Sequence, residues 1–426
     1  MTATDPTHAS HRAVEAVWRI EAARLIAGLA RLVRDVGLAE ELAQDALVIA
    51  LEQWPRDGVP ENPGAWLMAT AKHRAVDQLR RQSRYQDKLA EIGRDLEIQQ
   101  ARSEPDLDDA IDDPIGDDLL RLLFTACHPV LSPESRVALT LRFLGGLTTD
   151  EIARAFLIPE PTAAQRLVRA KRTLATRKVE FELPAPAELT ERLGSVLEAI
   201  FLIFNEGYSA SAGDDWMRPE LCEEALRLGR ILAGLMPEHA EVHGLLALME
   251  IQASRLQARS GPRGEPVLLM DQDRRVWDKL LIRRGLEELR RAESLGDTPG
   301  PYTAQAAIAA CHARATSAAA TDWARIAALF EVLVESWPSP VAALNRAVAV
   351  GMAYGPAAGL AIADSLTSEP ALARYPQLAA VRGDLLAKLG RDDEARQQFL
   401  RAAELTRNQR ERDIFLNRAK AATAPS

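Results

Sequence analysis

The stretch LTTDEIARAFLIPEPTAAQRLVRAKRTL, residues 147–174, decides how this chain folds around it. Thr148 and Glu151 have the spacing of a capping box, in which each side chain accepts a hydrogen bond from the other residue's backbone amide. Pro159 ends the first helix because proline lacks an amide hydrogen and clashes with the preceding turn. Pro161 fits the first turn of a new helix. The stretch therefore predicts two short helices joined by a tight turn.

The second of these helices has one apolar face and one polar, basic face. Ala163, Leu167, Ala170 and Leu174 recur at spacings of four, three and four residues, which predicts a single apolar stripe. Recognition helices read base edges with residues near their N-terminus, and Gln and Arg pair bidentately with adenine and guanine. The other faces of this helix carry Thr162, Gln165, Arg166, Arg169 and Arg172. The pattern predicts a DNA-binding helix-turn-helix, and an ordinary helical hairpin with a charged outer face is the alternative.

The composition indicates an all-α protein. The chain has 426 residues, of which 47% are hydrophobic and 27% charged, enough for about three domains. Runs of β-branched and aromatic residues are nearly absent, which favours helices over strands. The N-terminus lacks the apolar core of a signal peptide, and no apolar run approaches the ~20 residues of a spanning helix. A cytoplasmic protein without a membrane partner is expected.

The three cysteines give no sign of a disulfide scaffold or a metal site. Cys127, Cys222 and Cys311 lie far apart and form no C-x-x-C motif. His128 follows Cys127, but neighbouring residues of a helix point about 100° apart, which does not suit joint ligation of one metal. No metal is expected.

Charge is distributed unevenly along the chain. The net charge of −9 argues against free, nonspecific binding to nucleic acid. Basic residues nevertheless dominate residues 72–84 and 166–178, whereas residues 104–118 are acidic and contain no basic residue. Two positive segments separated by a negative one favour two modules that face DNA. The alternative is that all three segments are ordinary solvent-exposed surfaces.

The pattern of helices and breaks predicts four parts. They are a first helical domain, an acidic linker, a helix-turn-helix domain and a helical extension, at residues 1–95, 96–118, 119–183 and 184–426. In the extension, Gly383, Ala395, Phe399 and Ala402 have the spacing of a tetratricopeptide unit, with small residues where two helices touch. A tetratricopeptide-like array, clearest in residues 300–420, would offer a docking surface. A helical bundle without repeats is the alternative.

Two ordered motifs resemble the sigma-70 family of RNA polymerase sigma factors. LSPESRVALTLRFLGGLTTDEIARAF followed by QRLVRAKRTL resembles region four. AEELAQDALVIALEQWP and PGAWLMATAKHRAVDQLRR resemble region two of the small extracytoplasmic-function subfamily. The likeness covers residues 12–178. FLIFNEGYSA and the helices after it resemble a sigma-factor group that has a tetratricopeptide-like C-terminal domain.

The resemblance implies a partner and a role for each region. Region two binds the coiled coil of the polymerase β′ subunit and helps open the minus-10 promoter element, and region four reads the minus-35 element. The implied polymerase-binding residues are Glu41, Gln44 and Asp45. The implied DNA-binding residues are Trp66, Lys72, Arg74, Arg80 and Arg81 in region two, and Thr162, Gln165, Arg166, Arg169, Lys171 and Arg172 in region four.

The sequence departs from the family pattern at two positions. His73 stands where an asparagine is common, which puts base contacts near it in doubt. Pro159 replaces the usual polar cap before the recognition helix, at a loss of about 1 kcal/mol. Glu160 compensates in part through the helix dipole.

Motifs of several enzyme classes are missing from the sequence. It contains no GxxxxGK[ST], HExxH or GxSxG, so neither an enzyme nor a bound cofactor is expected. Asn205, Glu206, Tyr208, Asp214 and Asp215 cluster polar groups, which a packed turn bonded to the backbone explains better than an enzyme site does.

The expected function is that of a sigma factor, a specificity subunit that directs core RNA polymerase, through its β′ and β subunits, to promoter DNA. The extension is expected to regulate this activity, either by docking on the rest of the chain or by binding an unidentified protein. Two alternatives stay open: a helical scaffold that no longer supports transcription, and a helix-turn-helix regulator that binds a palindrome as a dimer.

Overall fold

The computed structural model describes residues 6–92, 115–156, 158–209, 217–261, 265–296, 298–406 and 408–422. The chain divides into two compact units, residues 1–199 and residues 200–426. In the described part of the chain no β-strand forms, and the one extended pairing is a bridge between Ser260 and Pro266. The prediction of an all-α protein is confirmed. The predicted linker, residues 96–118, lies mostly outside the described residues.

The first unit begins with three long helices and continues with four shorter ones. They are α1 (Pro6–Val33), α2 (Val36–Asp57), α3 (Pro63–Ile92), α4 (Ile115–Ala126), α5 (Pro133–Phe143), α6 (Thr149–Phe156) and α7 (Glu160–Thr176). Asp35 fixes the start of α2, because its Oδ1 accepts hydrogen bonds from the amides of Gly37 (2.7 Å) and Leu38 (3.0 Å). Helix α8 (Leu189–Tyr208) contains the boundary between the units.

Helix α1 lies at the centre of the first unit. It packs against α2, α3, α4 and α5, and its Ile26 and Leu29 are fully buried. Phe124 of α4 and Phe143 of α5 are also among the largest fully buried side chains. The helices of the two predicted domains in this unit therefore share one packed interior.

The second unit is an array of helices. After α8 come α9 (Pro219–Leu235), α10 (Ala240–Ala253), α11 (Lys279–Leu295), α12 (Pro301–Arg314), α13 (Trp323–Ser336), α14 (Pro340–Tyr354), α15 (Pro356–Ser365), α16 (Pro376–Lys388), α17 (Asp392–Leu405) and α18 (Gln409–Ala421). Short 3-10 helices lie at Leu256–Arg259, Leu269–Asp271, Arg274–Val276, Leu366–Ser368 and Pro370–Leu372. Neighbours in sequence pack together, notably α10 with α11, α14 with α15, and α16 with α17.

The helix pair α16–α17 shows why small residues occur at the predicted spacing. A Cβ atom added at Gly383 would lie 2.8 Å from the ring of Phe399, so only glycine allows this ring to approach. Ala395 and Ala402 are fully buried on the same helix as Phe399. The contact expected from the repeat pattern is present in this hairpin.

Candidate nucleic-acid and polymerase interface

The predicted capping box forms at the start of α6. The Thr148 amide donates to Glu151 Oε2 (2.8 Å), and the Glu151 amide donates to Thr148 Oγ1 (3.1 Å). The reciprocal pair satisfies two amides that the helix itself leaves without partners. It also fixes the entry into the helix-turn-helix formed by α6 and α7.

The apolar stripe of α7 is buried as predicted. Ala163, Leu167, Ala170 and Leu174 are all buried, and α7 packs on α5 and α6. At its N-cap, Pro159, the described structure shows no side-chain hydrogen bond, and Glu160 lies in the first turn. The buried apolar stripe, rather than a side-chain cap, therefore contributes to holding α7 in place.

The remaining faces of α7 display the residues that were predicted to contact DNA. Arg166 is half-buried, and the others point to solvent: Thr162, Gln165, Arg169 and Arg172. These side chains form an exposed surface that we call the α7 surface. Lys171 lies on a different side of the helix, half-buried against α2.

Helix α3 holds the predicted promoter-facing residues of the first domain. Trp66 packs edge-on against the buried Trp54, with ring centroids 5.5 Å apart and planes at 67°. Lys72 is half-buried, whereas Arg74 and Arg80 are exposed. The side chain of Arg81 lies outside the described residues. The tryptophan pair joins α3 to the end of α2.

The predicted polymerase-binding residues of α2 are close to the predicted DNA-binding residues of α3. Asp45 and Glu41 are exposed, and Asp45 Oδ2 accepts from Arg74 Nη1 at 2.5 Å. Gln44 is half-buried and donates through Nε2 to Glu40. An exposed pair such as Asp45–Arg74 contributes little to stability, so either side chain can be released to a partner.

Glu40 is a functional candidate that the sequence interpretation missed. Its side chain is 3% exposed and accepts from Arg142 Nε of α5 (2.5 Å) and Lys171 Nζ of α7 (2.9 Å). Arg142 also donates to the carbonyl of Leu147, directly before the capping box (2.8 Å). One buried carboxylate therefore links the predicted polymerase-binding helix to the helix-turn-helix.

A signal for Glu40 was present in the sequence. Glu40 lies on the apolar stripe of α2 with Val36, Ala39 and Ala43, which are all buried. An acid on such a stripe needs a cationic partner, since a buried charge without one is costly. The sequence could not identify the partners, which lie 102 and 131 residues away.

The polar cluster near the end of α8 is described only in part. Asp214 and Asp215 lie outside the described residues. Glu206 accepts from Arg218, and Tyr208 stacks on Phe204 with ring centroids 5.7 Å apart. Asn205, Glu206 and Tyr208 lie at the end of α8 rather than in a turn, and both contacts join side chains, so a packed turn bonded to the backbone stays a prediction.

Models of known protein families match three stretches of the chain. A model described as sigma-70 region 2 matches residues 20–85, and one described as sigma-70, region 4 matches residues 121–174. A model described as a family of unknown function (DUF6596) matches residues 192–293. Among the described residues, no helix combines the length and apolar character needed to cross a bilayer.

Similar proteins agree with the family models. An uncharacterized protein, R00370, of Rhizobium meliloti (strain 1021) is 43% identical over 89% of both chains. The ECF RNA polymerase sigma factor SigK of Mycobacterium tuberculosis (strain ATCC 25618 / H37Rv) is 31% identical over 34% of this chain and 74% of its own length. SigK of Mycobacterium ulcerans (strain Agy99) is 29% identical over 34% of this chain and 75% of its own length. The chain belongs to the extracytoplasmic-function sigma factors of the sigma-70 family and has a C-terminal extension.

Proposed function

We propose that this sigma factor binds core RNA polymerase through the exposed face of α2 and reads promoter DNA through α3 and the α7 surface. The observation that carries the proposal is the geometry of the α7 surface, where one face of α7 is buried and the other presents Gln and Arg to solvent. The β′ subunit is the proposed partner of Glu41, Gln44 and Asp45. The proposed place of action is the cytoplasm, where core polymerase and promoter DNA meet.

Polymerase binding through α2 is tested by holoenzyme assembly. Asp45→Ala should weaken assembly with core enzyme, because it removes an exposed carboxylate from the proposed contact. Asp57→Ala is the matched control, since Asp57 is also an exposed acid of α2 but lies at its last residue, about 120° around the helix from Asp45. Gel filtration or a fluorescence-based binding titration measures both. Equal assembly of wild type and Asp45→Ala would remove this role from Asp45.

DNA reading by α7 is tested with holoenzyme on a duplex that carries the minus-35 element. Arg169→Gln should weaken binding, because Arg169 is exposed in the middle of the α7 surface. If Arg169 meets a phosphate, its loss should also reduce the slope of log K against log salt concentration by about 1. Lys178→Gln supplies a control cation that is exposed beyond the end of α7. A variant with unchanged affinity and slope would exclude Arg169 from the contact.

Promoter recognition also requires that the arrangement of the first unit change. In the structure α2 and α7 are joined directly by the pair Glu40–Lys171. The minus-10 and minus-35 elements lie roughly 25 base pairs apart, or about 85 Å at about 3.4 Å per base pair. Helix α3, the proposed reader of the minus-10 element, packs on α2, so in this arrangement α3 and α7 cannot reach both elements at that distance. We infer that polymerase binding separates them.

The extension is proposed to set the activity of the sigma factor. The support is its size, more than half of the chain, and its array of paired helices, which offers the kind of surface that docks other helices. Deleting residues 200–426 removes one compact unit. It also keeps the contacts of α8 with the first unit, where Arg136 pairs with Glu198 (2.8 Å) and Arg192 donates to the carbonyl of Phe124 (3.1 Å).

Run-off transcription with core polymerase then distinguishes an extension that inhibits the sigma factor from one that its activity requires. Higher activity of the truncated chain would identify an inhibitory extension, and lower activity a required one. Unchanged activity would contradict a regulatory role. If neither the truncated nor the full chain directs initiation, although the full chain binds duplex DNA without polymerase, an independent helix-turn-helix regulator becomes the better description.

A further inference from the structure

The second unit contains three arginines that are brought together in its interior. Arg255 follows α10, Arg259 ends the next 3-10 helix, and Arg274 begins another. Arg255 and Arg274 are each only 9% exposed. We call Arg255, Arg259 and Arg274 the arginine cluster. All three lie within the stretch that matches the family of unknown function.

Aromatic rings hold the arginine cluster in place. The Arg255 guanidinium lies 5.8 Å from the ring centroids of both Tyr208 and Trp277. The Arg274 guanidinium lies 4.7 Å from the Trp277 ring, and that of Arg259 lies 3.6 Å from the Tyr208 ring. Cation–π contacts position the guanidinium groups but do not neutralise them.

The electrostatics indicate an excess of positive charge. Burial lowers the pKa of Arg274, and the nearby charge of Arg255 lowers it further. Burial likewise lowers the pKa of the neighbouring His312 to about 4, and both Arg255 and Arg274 add to that effect. His312 is therefore neutral at pH 7, and the positive charge belongs to the arginines.

Several buried hydrogen-bond donors in and beside the arginine cluster lack acceptors among the described residues. Among the described residues, nothing accepts from Arg255 Nε, Arg274 Nε or Trp277 Nε1, although all three atoms are buried. The terminal nitrogens of Arg274 donate to neutral groups, namely the carbonyls of His312 and Ala315 and the Thr321 hydroxyl. Among the described residues, no carboxylate forms an ion pair with Arg255 either.

Among the described residues, Arg255 and Arg274 each carry a buried charge without a counterion and a buried Nε without an acceptor, and both are costly. An oxyanion would remove both costs, because its several oxygens accept from guanidinium and indole N–H groups together. We propose that the arginine cluster is a binding site for a small anion that bears a phosphate or carboxylate group. This site is independent of the proposed sigma-factor contacts, which lie in the other unit.

Titration calorimetry of the full chain in phosphate-free buffer tests the proposal. Inorganic phosphate and citrate are the two probes, and the one that binds more tightly identifies the preferred anionic group. Arg255→Gln should weaken binding of that probe at least tenfold. Arg283→Gln, a change of an exposed arginine on α11 of the same unit, should leave binding unchanged. The proposal is overturned if wild type binds neither probe, or if Arg255→Gln binds as wild type does.

Thermal unfolding separates ligand binding from a merely structural role. Without added anion, Arg255→Gln should unfold at the same temperature as wild type or higher, because it removes a buried positive charge. The preferred anion should raise the unfolding temperature of wild type and of Arg283→Gln but not that of Arg255→Gln. If Arg255→Gln instead unfolds at a lower temperature and the anions stabilise no variant, Arg255 is a packing residue and the proposal fails.

The chain itself could supply the anionic group, and one further variant decides this. Asp214 and Asp215 are the acids nearest to Tyr208 in the sequence outside the described residues. An Asp214→Asn, Asp215→Asn double variant should bind the probe with the same affinity as wild type. If the double variant gains anion binding that wild type lacks, these carboxylates occupy the place of the ligand and the proposal is wrong.

Discussion

Neutralising Glu40 should uncouple the predicted polymerase-binding helix from the helix-turn-helix. The Glu40 side chain is 3% exposed, whereas those of its partners Arg142 and Lys171 are 16% and 23% exposed. At an effective dielectric constant of about 20, a charge pair at 2.9 Å has a Coulomb energy of about 6 kcal/mol, and desolvation of the two ions offsets much of it.

Removing one partner of a buried pair costs about 3–5 kcal/mol, since the remaining charge stays buried. Arg142 and Lys171 are near enough to water to recover part of their hydration. Glu40→Gln should therefore lower the free energy of unfolding by an amount at the lower end of this range, about 3 kcal/mol. In a double-mutant cycle with Lys171→Met, the two substitutions should therefore be non-additive, with a coupling energy of about 1–3 kcal/mol.

Urea unfolding of the full chain measures this cycle, evaluated on the transition that Glu40→Gln shifts. The matched control is the cycle between Asp45 and Arg74, whose side chains are 53% and 48% exposed. That exposed pair should couple by only about 0.2–1 kcal/mol. If the Glu40–Lys171 cycle is additive within about 0.5 kcal/mol, or no larger than the control, Glu40 does not hold α2 and α7 together.

Three further predictions concern stability. Pro159→Ser should stabilise the helix-turn-helix by about 1 kcal/mol, because serine supplies the missing side-chain cap of α7; an unfolding midpoint that does not rise would contradict this. Gly383→Ala should destabilise the second unit by about 1–3 kcal/mol through its clash with Phe399. The control Gly234→Ala, where a Cβ meets nothing within 4 Å, should instead be neutral or stabilising, and the unfolding midpoints compare the two. His312 has a pKa of about 4 in the folded state, below the value of about 6.5 in the unfolded state. Its contribution to the free energy of unfolding is therefore complete above pH 6.5 and falls by up to about 3 kcal/mol as the pH drops to 4. His312→Gln should flatten the pH dependence of the unfolding free energy over that range.

Features set by short-range patterns were predictable from the sequence. The capping box Thr148–Glu151 needs residues only three positions apart, and the buried stripe of α7 follows from helical periodicity. The contact between Gly383 and Phe399 follows from the repeat spacing. In each case the residues that interact lie in one helix or one hairpin, so their spacing specifies their geometry.

Features that depend on distant parts of the chain were not predictable. The basic residues of α7 looked alike in the sequence, yet Lys171 is turned toward Glu40 while Arg169 and Arg172 face solvent. Only the packing of α7 against α2 makes this distinction. The cluster of Arg255 and Arg274 likewise arises because separate 3-10 helices meet around aromatic rings, which no local spacing encodes.

The environments of the cysteines limit how the folded chain can respond to oxidants. Burial raises the pKa of the Cys127 thiol to about 11 and that of Cys222 to about 12, and it also raises the pKa of Cys311. All three are buried free thiols, and peroxides react with thiolates rather than with thiols. In the native state these sulfur atoms are therefore shielded from redox chemistry, and a single cysteine placed on the surface could be labelled selectively.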